Sequence, residues 1–179
     1  MGNTCCFIGH RTINETEALK TKLTEAIERL VTEEGVDTFL FGSKSQFDSL
    51  CLALVTDLRG KYPHIRRIYV RAEFPVIGDD YRAYLLRSYE DTDYPQRIMG
   101  AGRAVYVERN CEMIDRSEYC IIYYDRDSAP TTRQSGTGIA LDYAIGQKRE
   151  IFLFPADACL GALERMKLPP TEIQGFDEK

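Results

Sequence analysis

The chain has 179 residues, 44% of them hydrophobic and 28% charged, enough apolar material for one globular domain with a sizeable core and too little for a second full one. Its net charge of -5 and pI of about 5.2 exclude the global basic footprint of a duplex nucleic-acid binder, so any nucleic-acid role is left to a local cluster. No apolar run approaches the roughly 20 residues that span a bilayer, and the N-terminus has no basic-then-apolar leader; a cytoplasmic protein with no membrane partner is expected.

Taken in chain order, "TCCFI" reads as a buried strand over 4–8 that stops at Gly9. Asn14 with Glu17 three positions on has the spacing of a capping box, and Leu19, Leu23, Ile27, Leu30 and Val31 recur at helical spacing, which predicts a helix over 15–34 closed by Gly35. "DTFLFGS" is a second buried strand, ended by Gly42. Phe47, Leu50, Cys51, Leu54, Val55 and Leu58 then form one helical face, with Gly60 and Pro63 marking the exit. "RRIYVRA" is the third strand. Short apolar strands alternating with amphipathic helices predict a Rossmann-like α/β fold: an open, mostly parallel sheet with helices on both faces.

From Glu73 to Gly102 the sequence becomes polar and rich in tyrosine, with one short helix expected over 80–89. A connection of this length in a compact domain suits a lid or binding loop. Order resumes with a fourth strand in "AVYV", a helix in "RNCEMIDRS", a fifth strand in "YCIIYYD", a glycine-rich helix start in "SGTG" and a sixth strand in "REIFLFP". The tail after Pro155 has weak periodicity and is expected to cap the domain. The six cysteines, Cys5, Cys6, Cys51, Cys111, Cys120 and Cys159, contain no C-x-x-C pair and read as buried free thiols.

In a sheet of this type ligands bind beyond the carboxyl ends of the strands, where strand order reverses. The polar motifs fall there: Gly9, His10 and Arg11 after the first strand, Gly42, Ser43 and Lys44 after the second, Glu108, Arg109 and Asn110 after the fourth, and 125–137 after the fifth. Backbone N–H groups at a helix start, aided by the helix dipole, attract a phosphate or carboxylate, and glycine lets the anion approach. Ser135, Gly136, Thr137 and Gly138 therefore form a candidate anion site, with the two hydroxyls as extra donors; the alternative is a plain turn with an N-cap.

His10 and Arg11 suit a phosphate or ribose, or else a capped loop and a surface ion pair. Asp48 is either a first-turn acid of its helix or a group that reaches a ribose hydroxyl. His64 reads as a surface residue. Tyr81, Tyr84, Tyr89 and Tyr94 can stack on a base or pack, and Arg82 and Arg97 can close over phosphates or remain solvated; Tyr81, Arg82 and Tyr84 are the candidate lid. No Walker A, G-x-G-x-x-G, H-E-x-x-H or G-x-S-x-G motif is present, which disfavours P-loop, dinucleotide-dehydrogenase, histidine-rich zinc and serine-hydrolase chemistry.

Together, "FIGHR", "GSKSQFDSLCLALVTDLRGKYPHI", "ERNCEMIDRSEYCIIYYD" and "SGTGIALDYAIGQKREIF" resemble the SLOG superfamily, the Rossmann-like group of the Smf/DprA proteins and the Lonely Guy (LOG) phosphoribohydrolases. The resemblance spans about residues 4–155 and is nearest to the YpsA-like branch. It implies a pocket for a nucleotide or nucleotide-derived molecule lined by Gly9, His10, Arg11, Gly42, Ser43, Asp48, Asn110, Ser135, Gly136 and Thr137. Asn110 and Asp115 have a structural alternative, fixing the loop after the fourth strand.

LOG enzymes carry P-G-G-x-G-T-x-x-E, whereas the acid position here is Ala140, and Asp142 lies two residues later, roughly 200° around the helix. The expectation is therefore a binder that senses or sequesters its ligand, with no metal and no cofactor. The alternatives are an N-glycosidic or phosphoribosyl hydrolase using Asp48, Asp125 or Glu108, and a single-stranded-DNA module like the Smf/DprA proteins. A homodimer formed through helices is what the resemblance implies about assembly.

Overall fold

A computed structural model describes residues 2–128 and 134–155. The elements are β1 (Asn3–Gly9), α1 (Glu17–Thr32), β2 (Val36–Phe41), α2 (Gln46–Arg59), β3 (Arg66–Val70), α3 (Asp79–Leu85), β4 (Asp91–Asp93), α4 (Val105–Asp115), β5 (Tyr119–Tyr123), α5 (Gly136–Gly146) and β6 (Glu150–Phe154). All strand pairs are parallel, in the order β4-β3-β2-β1-β5-β6. This is a Rossmann-like α/β architecture with a six-stranded parallel sheet.

The continuous apolar strands follow from burial on both faces. Alternate side chains of β1 divide between two cores: Cys5 and Phe7 join α1, α2, Phe39, Phe41 and Ile121 on one face. Cys6 and Ile8 join Met113 and Ile114 of α4 and Ala140, Leu141 and Ala144 of α5 on the other. The chain winds outward from β1 through β2 and β3 to β4, then returns through α4 to place β5 on the opposite side of β1. Strand order thus reverses between β1 and β5, where Cys5 to Gly9 pair with Tyr119 to Tyr123.

Three expectations are corrected. "AVYV" is no strand: residues 105–107 open α4, because Arg109, Met113 and Ile114 repeat at helical spacing and Tyr106 is half exposed rather than buried. The fourth strand is instead Asp91–Asp93, a polar edge strand whose buried Thr92 donates its hydroxyl to the Tyr69 carbonyl. The cap of α1 is Thr16, whose hydroxyl accepts the Leu19 N–H at 3.1 Å; the helix begins at Glu17, so Asn14 lies too far upstream to form a capping box.

The helix expected over 80–89 stops at Leu85, and two 3₁₀ turns, Gln96–Ile98 and Gly102–Ala104, complete that segment. Cys5, Cys6, Cys51, Cys111 and Cys120 are free and buried, while Cys159 and the tail after Pro155 lie outside the described residues. Among the described residues, no helix is long and apolar enough to cross a membrane.

Candidate functional site

A cleft of about 660 Å³ opens at the carboxyl ends of β3, β2, β1 and β5, a size typical of small-molecule pockets. It lies at the reversal of strand order, where an open parallel sheet leaves adjacent loops splayed apart.

The start of α5 forms one wall. Ser135 is the N-cap, and its hydroxyl oxygen accepts the Gly138 N–H at 3.0 Å. The N–H groups of Gly136 and Thr137 belong to the first turn and have no intrahelical acceptor; both residues line the cleft. A side chain at Gly136 would meet nothing within 4 Å, so the backbone there is open to an incoming group. Gly138 is corrected as a ligand donor: its N–H is consumed by the cap, and it lies behind the cleft wall.

Gly9, His10 and Arg11 line the cleft from the end of β1. The glycine is required by packing beneath the loop, since a Cβ there would fall 2.7 Å from Phe47 Cβ. His10 Nε2 accepts the Asp125 N–H at 2.9 Å, joining the loops after β1 and β5. Arg11 is exposed at the mouth, and its carbonyl accepts the Gln46 N–H.

After β2 the decisive residue is Asp48, whose Oδ2 accepts the N–H groups of Gly42 at 3.2 Å and Ser43 at 2.9 Å. It is 3% exposed and lines the cleft, and its carboxylate folds the loop from within. Burial pushes its carboxyl above the usual range, opposed by those two N–H bonds and by the Arg109 charge. Gly42 is again a packing glycine: a Cβ would sit 2.7 Å from Arg109 Nε.

Two arginines line the opposite wall: Arg109 on α4, placed at this sheet edge by its sequence position but not among the expected lining residues, and Arg71 directly after β3, which was not expected here. Arg109 is 5% exposed and Arg71 8%. Arg109 donates from Nε to Asn110 Oδ1 at 3.0 Å and lies 5.9 Å from the Tyr106 ring centre. Burial depresses its affinity for a proton, with Asp48 acting against that shift. Tyr69 shares this wall, and burial pushes its hydroxyl up to about 12, leaving it a neutral O–H donor at physiological pH. The available signal was "YVRA", a charge set at the very end of a buried parallel strand.

Of the lid candidates only Tyr81 reaches the cleft. Tyr84 stacks on Tyr81 from the solvent side, and Arg82 pairs with Asp91 at 3.6 Å. Tyr89 packs on Phe41 and Tyr69, and Arg97 is tied to Asp115 and Glu108. Glu108 therefore turns away from the cleft, and Asn110 lines it from within α4 instead of from a strand end. Asp125 accepts from the Asp127 N–H and the Ser128 hydroxyl in an adjoining hollow, and Asp142 accepts from Gln134 outside the cleft. Residues 129–133 of the loop after β5 lie outside the described residues.

The cleft lining thus carries Arg11, Lys44, Arg71 and Arg109 against Asp48 and Glu73, a local excess of positive charge in a chain of net charge -5. Among the described residues, no group of three or more His, Cys, Asp or Glu side chains is placed to hold a metal ion. No family model matches the chain, and no curated protein shows significant similarity to it.

Proposed function

We propose that the protein binds a nucleotide or nucleotide-derived small molecule in this cleft, sensing or sequestering it in the manner of a SLOG-type module. The observation that carries the reading is the start of α5, where the N–H groups of Gly136 and Thr137 have no intrahelical acceptor, beside a cleft with surplus cationic side chains. A helix start of this kind takes phosphate with its backbone and dipole. Arg11 stands at the mouth to meet it, and Tyr81 and Tyr106 offer ring faces for a base.

Binding is favoured over hydrolysis by the state of the carboxylates. Asp48 is committed to the loop it folds, Glu108 to Arg97, and Asp125 to its own turn. A general acid must lie within hydrogen-bond reach of the scissile bond, directly or through one water.

The test is to incubate the purified protein with adenosine phosphates, NAD, ADP-ribose and cyclic dinucleotides, ultrafilter, and identify retained compounds by mass spectrometry. One compound retained intact, and lost in a folded Gly136→Leu variant, is the expected result. Disappearance of a compound with release of a base or ribose phosphate identifies a hydrolase. Retention of none of them overturns the reading. Salt-dependent capture of single-stranded DNA in its place would support the Smf/DprA-like alternative.

A further inference from the structure

We propose that the cleft contains a second anion subsite built on Arg71 and Arg109, so that its ligand carries two separated anionic groups, one at each end of the cleft. The assignment of the first group to the start of α5 rests on the binding reading above. The second subsite rests on a different observation.

Among the described residues, three arginines are more than nine-tenths buried: Arg67, Arg71 and Arg109. Arg67 is fully compensated. Its Nε and Nη2 clasp the Glu90 carboxylate at 3.1 and 2.7 Å, and its Nη1 donates to the Thr56 hydroxyl. Arg71 and Arg109 have no ion pair among the described residues. Arg71 donates from Nη1 to the Phe74 carbonyl at 2.6 Å and the Pro75 carbonyl at 3.4 Å, and its Nε is buried with no hydrogen-bond partner among the described residues. Among the described residues, Arg109 has only the neutral Asn110 side chain as hydrogen-bond acceptor.

A buried guanidinium without a carboxylate partner is costly, and a fold that pairs Arg67 so completely leaves the two that border the cleft with no carboxylate at ion-pair distance, Arg109 having only the longer-range charge of Asp48. The nearby carboxylates are engaged elsewhere, Asp48 by the loop N–H groups and Glu73 by the Tyr106 hydroxyl at 2.6 Å. An anionic group on the ligand supplies the missing partner, and the planar guanidinium suits phosphate or carboxylate.

The topology sets the separation. Arg71 follows β3, and Arg109 lies against the end of β2. The start of α5 follows β5, two strand positions from β2 and three from β3. At about 4.8 Å per strand the two poles are roughly 10–14 Å apart. A single phosphate, carboxylate or diphosphate does not cover that span, whereas a nucleoside-sized molecule with an anionic group at each end does.

Calorimetric titration with alkanediol α,ω-bisphosphates of increasing chain length, against the matching alkyl monophosphate, tests this. The expected result is an affinity that peaks at an intermediate length, at least about tenfold tighter than the monophosphate. Arg71→Met should weaken the bisphosphate by more than it weakens the monophosphate, removing that advantage. Arg109→Met does the same without disturbing the Phe74 loop, which keeps the test valid if Arg71→Met misfolds. Gly136→Leu should weaken the monophosphate. Equal affinity for both compounds at every length, or equal weakening of both by the arginine variants, overturns the second subsite and leaves the α5 reading standing. Binding of neither compound overturns both.

Discussion

His10 Nε2 accepts the backbone N–H of Asp125 at 2.9 Å, across the point where strand order reverses. A backbone N–H can only donate, so in this contact Nε2 is the acceptor and the ring's hydrogen sits on Nδ1. The Asp125 carbonyl oxygen lies farther, at 3.2 Å. Nitrogen-15 spectra of the imidazole should show the Nδ1–H tautomer; an Nε2–H signal would refute the assignment. Replacement by Phe should unfasten the two loops and weaken ligand retention with little change in the melting temperature.

The glycines of the cleft separate into two kinds. Gly9→Ala drives a methyl into Phe47 and should destabilise the fold by about 2 kcal/mol. Gly136→Ala meets nothing within 4 Å and should leave the unfolding midpoint unchanged or slightly raised. Urea denaturation of both variants makes the comparison, and equal losses would contradict it.

Asp48 holds its loop by accepting two N–H groups on one oxygen. Asp48→Ala leaves both donors without that acceptor and should cost about 2 kcal/mol, while Asp48→Asn keeps an oxygen in place and should cost less. Because burial raises the folded carboxyl above its unfolded value, its favourable contribution is complete below the unfolded value near 3.8 and is lost as pH rises through the raised folded one. Stability measured across that window should fall with pH in the wild type relative to Asp48→Asn. A difference of opposite sign would contradict the shift.

Arg67 and Arg109 should respond oppositely to substitution in the ligand-free protein. Glu90→Gln strands Arg67 beside a neutral amide and should cost about 3 kcal/mol. Arg109→Met removes a buried charge that has no ion pair among the described residues and should leave stability equal or higher. Burial raises the Glu90 carboxyl, but the bonds and charge of Arg67 outweigh it and hold the group below its usual range. That contribution is present above about pH 4.5 and is lost as pH falls through the lower folded value. Acid titrations of wild type and Glu90→Gln should therefore converge at low pH.

Five of the six strands, and all the helices that cover the sheet, were legible because burial on both faces gives unbroken apolar runs such as Cys5 to Ile8, and burial on one face gives Leu19, Leu23 and Ile27. β4 was not, since Asp91–Asp93 is polar and held by backbone pairing to β3. "AVYV" misled because four apolar residues fit a strand or a helical turn equally well. In the site, the loop glycines and the α5 start were readable from position. The burial of Asp48 and the missing partners of Arg71 and Arg109 were not, because each depends on what a distant segment places beside it.

The pairing of β1 with β5 joins residues 114 apart, whereas β1, β2 and β3 follow one another through short helical connections. Nearer pairings form with less loop-closure entropy and tend to come first. The N-terminal half-sheet can therefore assemble while β5 is still unstructured, and the cleft comes into being only at the last docking step. Pulse-labelling hydrogen exchange during refolding should find the β2 amides protected before those of β5. A nascent or partly folded chain then has a sheet with one open flank and no ligand pocket, so binding competence reports completion of the fold.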